Sequence, residues 1–389
     1  NLVICMDNYW TNFKKKIIWQ KDLASIGFAN ITGSGISAVF WLYLASVIEP
    51  AEYGEIHYFI AIAAFAQIIS LIGSSNVLTV YTAKKIEIQA TLFFVSLLTS
   101  VVAAIVIMMI FFRFDAGLLV LCYVIFELVN AVLLGRKAYT KYSKYFLTQK
   151  TLMVILGIGF YYLIGFDGIL YGFVLSFIPY TILIFREFRE TKIDFGLLRS
   201  RGGFIANNYA MSFSGRVGSS VDKLIVAPLL GFALLGNYSL ALQLFVVLYI
   251  IPTIIYKYLL PEDASGKPNN KLKQTAVLLS IGIAVLGVVL FPHIIPNFFP
   301  KFIEAVDAIQ IMSIAIIPSM ITLIYTSKLL GLEKSKFVLI SKIITTSSLI
   351  TGFIILGPIF GIIGLAGVFV SVSIFEASFL FSINKIKKL

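Results

Sequence analysis

Long apolar stretches alternate with short polar breaks along the whole chain, and the breaks are too few and too tight for a soluble fold. A helix crossing about 30 Å of hydrocarbon needs roughly 20 mostly apolar residues. Cutting the chain at charges, prolines and glycine clusters gives twelve such runs, near 23–48, 56–80, 91–112, 116–134, 146–165, 168–185, 203–228, 232–256, 274–295, 305–327, 337–357 and 360–383. Tight turns are expected at 113–115, 165–167 and 357–361. The predicted fold class is an all-α polytopic membrane protein with about twelve transmembrane helices.

Composition strengthens this reading. Apolar residues make up 59% of the 389, charged residues only 13%, and the mean hydropathy is +0.96, outside the range of soluble globular chains. The net charge of +12 would suit nucleic acid in a soluble protein, so the position of the charges decides. With the N-terminus inside, the cytoplasmic segments hold 25 of the 31 Lys and Arg. The outer loops hold Arg113 and Lys301, together with Glu49, Glu52, Glu55, Asp115, Asp167, Glu304 and Asp307. That is the bias of basic loops toward the cytoplasm. It predicts a multi-pass protein of the plasma membrane with both termini cytoplasmic, and it accounts for the charge without nucleic acid. Cys5 and Cys122 are too few and too differently placed for a disulfide framework or metal site; both are expected to be reduced and inert. The chain begins with Asn, so nothing functional is rested on residues 1–5. No signal peptide is expected, because the first apolar run is too long for one and ends at Glu49, Pro50 and Glu52.

The longest basic loop divides the chain. The expected organisation is a cytoplasmic segment 1–22, a six-helix lobe 23–185, a cytoplasmic linker 186–202, a second six-helix lobe 203–383 and a tail 384–389. Both lobes start inside, so they are expected to be parallel repeats about an axis along the membrane normal, around a central cavity. A short stretch supports this at an offset of 182, where Leu44–Gly54 aligns with Val226–Gly236. Under that offset Asn30, Ser34, Ser37 and Trp41 of span one fall on positions equivalent to Ser212, Arg216, Ser219 and Lys223 of span seven. Both sets follow the i, i+4, i+7, i+11 spacing of one helical face. Two polar stripes could line a cavity; small polar residues also serve simply to pack membrane helices. Arg216 is harder to assign to packing, since a charge at the bilayer centre costs roughly 2.5 to 3.5 kcal/mol even on the lenient scale. It needs water, a partner or an anionic ligand. Lys223 lies two turns toward the outer face. Asp222, beside it, is expected to pair with a neighbouring span or cap the outer end. Glu127, at similar depth in span four, is a candidate ion-pair or coupling residue. Gln67 and the break at Gly73–Asn76 rank below these.

No Walker A, HExxH or GxSxG motif and no Cys or His cluster occurs; His57 and His293 lie near the expected outer surface without evident partners. No cofactor is expected beyond a possible proton or sodium gradient. The short loops disfavour a glycan polymerase, ligase or nucleotide-sugar transferase. The stretch Asp222–Ala241 (DKLIVAPLLGFALLGNYSLA) resembles the span seven to eight signature of polysaccharide biosynthesis flippases, the Wzx-like members of the multidrug/oligosaccharidyl-lipid/polysaccharide exporter superfamily. Leu44–Ala45 through Glu52–Gly54 is similar to that family's first outer loop. The resemblance covers about 40 residues and implies two lobes around a partly cationic cavity of alternating access. It implies as partner a polyprenyl-phosphate- or pyrophosphate-linked oligosaccharide moved from the cytoplasmic to the outer leaflet, with membrane lipids and possible glycan-assembly proteins as further partners. An ion-coupled drug or small-solute antiporter of the same superfamily is the main alternative. A membrane-embedded glycan-assembly enzyme is less expected, for want of paired acids or histidines.

Overall fold

The computed structural model describes the backbone of residues 2–72, 74–188, 192–217, 220–266 and 269–386, with side chains from Ser25 onward except 74, 186–187, 207, 210–211 and 214–217. The described residues contain no strand. In chain order the helices are α1 (Leu2–Val47), α2 (Pro50–Ser70), α3 (Ser74–Ala83), α4 (Gln89–Phe111), α5 (Phe114–Gly135), α6 (Tyr139–Ile164), α7 (Gly168–Leu175), α8 (Ile178–Phe188) and α9 (Phe195–Ser200). They continue as α10 (Gly202–Val217), α11 (Val221–Leu230), α12 (Phe232–Ala264), α13 (Asn270–Phe298), α14 (Ala305–Ile314), α15 (Ile316–Gly331) and α16 (Ser335–Ile386).

Among the described residues, eight helical stretches are long and apolar enough to cross a membrane, or ten if each bent pair, α2 with α3 and α14 with α15, is one span. Helix α16 adds one more. Its 52 residues would run about 78 Å if straight, more than twice a bilayer core, and the chain instead reverses at Gly361 (φ 57, ψ −136). That conformation is open to glycine and strained for any other residue, and Pro358 removes a backbone donor just before it. The ion pair Lys342 Nζ–Glu376 Oε1 at 2.7 Å joins the two arms, so they run antiparallel. Helices α10 and α11 flank residues 218 and 219, which lie outside the described residues, and together cover the predicted seventh span. The expected turns appear where the sequence placed them, with Phe112 (φ 54) and Gly165 (φ 79) in the left-handed region.

Between Ser96 and Met109, α4 is largely built inside out. On α4, Ser96, Ser100 and Ala104 are buried while Leu98, Val102 and Met109 are exposed, Met109 at 70%. A soluble helix does the reverse; small residues facing in and large apolar ones facing out is the pattern of a helix packed in lipid. The chain is a multi-pass membrane protein.

Contacts divide it into two compact units, Asn1–Phe40 with Ala63–Phe213, and Trp41–Ile62 with Ser214–Leu389. The first unit buries Phe93, Val124, Ile169 and Tyr180; the second buries Tyr238, Phe302, Met312 and Phe353. The linker region carries α9, capped by the Asp194 carboxylate accepting from Leu197 N at 3.0 Å. It is tied to α4 through Asp194 N donating to Thr91 Oγ1 at 2.8 Å.

The tip between α1 and α2 belongs to the second unit for a local reason. Pro50 opens α2 at its first helical position, and Glu52 reaches back to accept from Glu49 N at 2.9 Å. Lys301 then pairs with Glu49 at 2.9 Å and donates to the Val47 carbonyl at 3.1 Å. A Cβ on Gly54 would strike the Phe232 carbonyl, and one on Gly236 would strike the Pro50 carbonyl. These are equivalent positions at the offset of 182. Residue 54 meets 232 and residue 236 meets 50, the reciprocity expected where two repeats meet on a two-fold axis.

Candidate functional site

The stripe predicted on span one is only partly engaged in the structure. Asn30 is half-buried and accepts from the Tyr142 hydroxyl at 3.4 Å; Ser34 is exposed; Ser37 Oγ is buried without a hydrogen-bond partner. Trp41 belongs to the second unit, where its ring lies 4.7 Å from His57 and 6.2 Å from Tyr53. His57 is therefore buried among aromatics, and its Nε2 has no hydrogen-bond partner.

On span seven, Ser212 is half-buried in the first unit. The Arg216 side chain and the whole of Ser219 lie outside the described residues. Lys223, in α11, pairs with its neighbour Asp222 at 3.3 Å. Asp222 is buried and also accepts from the Tyr238 hydroxyl of α12 at 3.4 Å. The Asp222 carboxylate is thus shared between its own neighbour Lys223 and the phenol of the next helix.

The best-built polar site among the described residues lies within the first unit. A cavity of about 260 Å³ is lined by Gln67 of α2, Tyr123, Phe126 and Glu127 of α5, and Gln149 and Lys150 of α6. Phe173 and Phe177 close it where the sixth span breaks between α7 and α8. Irregular backbone at membrane depth is tolerated only where protein buries it or a cavity adjoins it, and broken helices of this kind form transporter sites. The break is satisfied from α6: Gln149 Nε2 donates to Ser176 Oγ at 2.9 Å, and Ser176 donates to the Phe173 carbonyl at 2.6 Å. Gln67 Nε2 donates to the Tyr123 carbonyl at 3.1 Å. The buried Gln149 Oε1 is left without a partner at the cavity wall. The Lys150 ammonium lies 5.5 Å from the Phe146 ring centroid, a favourable cation–π placement. A carboxylate and an amine thus line one partly open cavity whose walls are otherwise largely aromatic, able to hold water, exchange a proton or bind a small polar group.

Glu127 was marked by its depth in span four. Lys150 was not, because the polar run Tyr139–Lys144 set the start of span five at 146 and left Lys150 at its rim. The helix in fact begins at Tyr139, which puts Lys150 near its middle. The doublet Gln149–Lys150 inside an apolar run was the available signal.

No protein-family model matches the chain, and comparison with curated proteins returns no relative. Solved structures do match. An inward-facing multidrug resistance MATE family transporter of the MOP superfamily superposes with a TM-score of 0.68 at 12% identity, over 92% of this chain and 94% of that one. The lipid II flippase MurJ, in an inward closed conformation, gives 0.71 at 14% identity over 92% and 87%. An outward-facing MATE transporter gives 0.56 at 14% identity over 94% and 95%. At these identities the likeness establishes the fold. The chain has the all-helical fold shared by these exporters.

Proposed function

We propose that this chain is a transporter that moves a lipid-linked oligosaccharide from the cytoplasmic to the outer leaflet by alternating access, for assembly of a surface glycan. The observation that carries the reading is the fold shared over 92% of the chain with a lipid II flippase. The signature at Asp222–Ala241 supports it from the sequence. The chemistry is consistent: a polyprenyl-pyrophosphate presents negative charge at the membrane surface, and charge-assisted hydrogen bonds from Arg216 and Lys223 would hold it while the glycan crosses in water. The lipid tail would remain in the bilayer. Asn30, Ser34, Ser37, Trp41, Ser212 and Ser219 would offer hydrogen bonds and a stacking face to sugar.

A second reading, an ion-coupled drug or solute antiporter, is favoured by one observation, the cavity that holds Glu127 with Lys150. The two readings also combine, since that pair could carry the coupling proton of a flippase.

The test is Arg216→Ala in cells. Loss of surface glycan with normal membrane insertion is expected, and unchanged surface glycan would remove Arg216 from substrate handling. Glu127→Gln should slow export by at least tenfold if this carboxylate carries the coupling ion, with insertion unchanged. Unaltered export would leave Glu127 a structural residue.

A further inference from the structure

Lys150 stands near the middle of α6, a helix long and apolar enough to cross the membrane, and it lines the 260 Å³ cavity of the first unit. A charge at that depth is costly unless it is paired or solvated, and it marks a site by default. Among the described residues Lys150 has no carboxylate partner. Glu127 lines the same cavity without forming an ion pair with it, and Glu127 has contacts of its own. The ammonium has only the Phe146 ring, 5.5 Å from its centroid. The stem is fixed from α1, since a Cβ on Gly33 would strike the Phe146 ring and crowd Lys150 Cγ at 3.3 Å. Packing thus holds the cation at the cavity.

Its neighbour Gln149 makes the opposite demand. The Gln149 side chain is fully buried. Its Nε2 is taken by Ser176 at 2.9 Å, and its Oε1, without a partner, calls for a donor. Gln67 likewise commits its amide nitrogen to the Tyr123 carbonyl, which leaves its oxygen as an acceptor. The rest of the wall is aromatic and braced, with Phe177 standing edge to face 5.7 Å from Tyr123 and 5.6 Å from Phe126. The cavity therefore offers one unpaired cation, acceptors for hydroxyl groups, and flat apolar walls.

Its volume lies below the range of drug-sized sites, so it takes one ring and not a whole ligand. A pyrophosphate does not suit it, because one ammonium beside a carboxylate cannot neutralise two or more negative charges. A halide would leave the Gln149 oxygen unmet. A sugar ring bearing one carboxylate meets every demand. Its acid would face Lys150, its hydroxyls would donate to Gln149 Oε1 and to the Glu127 carboxylate, and its C–H face would lie against Phe177. We propose that this cavity is a subsite for one acidic sugar unit, a hexuronate, and that Lys150 selects for it. That the unit arrives on a lipid-linked glycan rests on the flippase function proposed above; the binding of a uronate does not.

The experiment uses the full chain in neutral detergent and ligand-observed saturation-transfer NMR with three probes, methyl glucuronide, methyl glucoside and acetate. The glucuronide should bind at least about tenfold more tightly than the glucoside, the value of one charge-assisted hydrogen bond, and more tightly than acetate. Lys150→Gln should abolish the preference over glucoside. It should also keep or raise the unfolding temperature without ligand, since it removes a cation that no carboxylate holds. A lower unfolding temperature would make Lys150 a structural ion partner and overturn the proposal. Equal binding of the glucoside, a preference that survives Lys150→Gln, or no binding of any probe would overturn it too. Acetate binding as tightly as the glucuronide would overturn the sugar assignment. Glucuronide binding by a protein whose depletion leaves lipid-linked glycans unchanged would keep the site and remove the flippase function.

Discussion

At the scale of single residues, charge is placed where the chain can satisfy it, and Arg113 shows how. It sits at the turn between α4 and α5, donating from Nε to Asp115 Oδ1 at 3.0 Å and from Nη2 to Oδ2 at 2.7 Å, while Nη1 reaches Asp167 at 3.3 Å. The Asp115 side chain is 3% exposed and that of Asp167 is 68% exposed, so the two contacts differ in weight. Removing the guanidinium strands a buried carboxylate, which costs about 3 kcal/mol or more; removing the exposed partner costs at most about 1 kcal/mol. Arg113→Ala should therefore lower the unfolding temperature in detergent well beyond Asp167→Ala, and equal shifts would contradict this account. The sequence made this group legible, because Arg113, Asp115 and Asp167 all fall in outer turns where a polar side chain announces a loop. Lys150 stayed hidden for the opposite reason. A cation near the end of an apolar run reads as a boundary, and only the full length of α6 shows that it lies inside.

At the scale of elements, periodicity and turn residues located the helices well, while partnerships between remote segments were mostly out of reach. The reversal of α16 at Gly361 was expected from its glycines and Pro358. The assignment of Trp41–Ile62 to the second unit was not, because it depends on backbone approach at Gly54 and Gly236, which hydropathy does not record. The weak repeat at an offset of 182 was the usable trace. Its physical content is now specific: both glycines stand where a side chain would strike a carbonyl of the other repeat copy. Gly236→Val should destabilise the protein by about 2 kcal/mol or more through forced separation of α2 and α12. Gly159→Ala, on α6 with nothing near its would-be Cβ, should be neutral or slightly stabilising. Comparable losses for the two in thermal unfolding would remove the glycine contact from the account.

At the scale of the whole molecule, apolar content, helix length and the distribution of basic residues together made the membrane class legible, and the fold shared with the MATE and MurJ structures agrees with it. The cargo was not legible in the same way. Hydropathy counts spans and charge orients them, but substrate choice resides in a few side chains on helices whose sequence is otherwise dictated by lipid. The central claim is that this chain moves a lipid-linked glycan between leaflets. Its most direct measurement is the leaflet distribution of such glycans in cells depleted of the protein, read by an impermeant reagent that labels only outward-facing sugar. Flipping predicts that lipid-linked glycan accumulates and becomes inaccessible to the reagent, with access restored by the parent chain and not by Arg216→Ala. Unchanged accessibility on depletion, accompanied by altered resistance to cationic drugs, would contradict it.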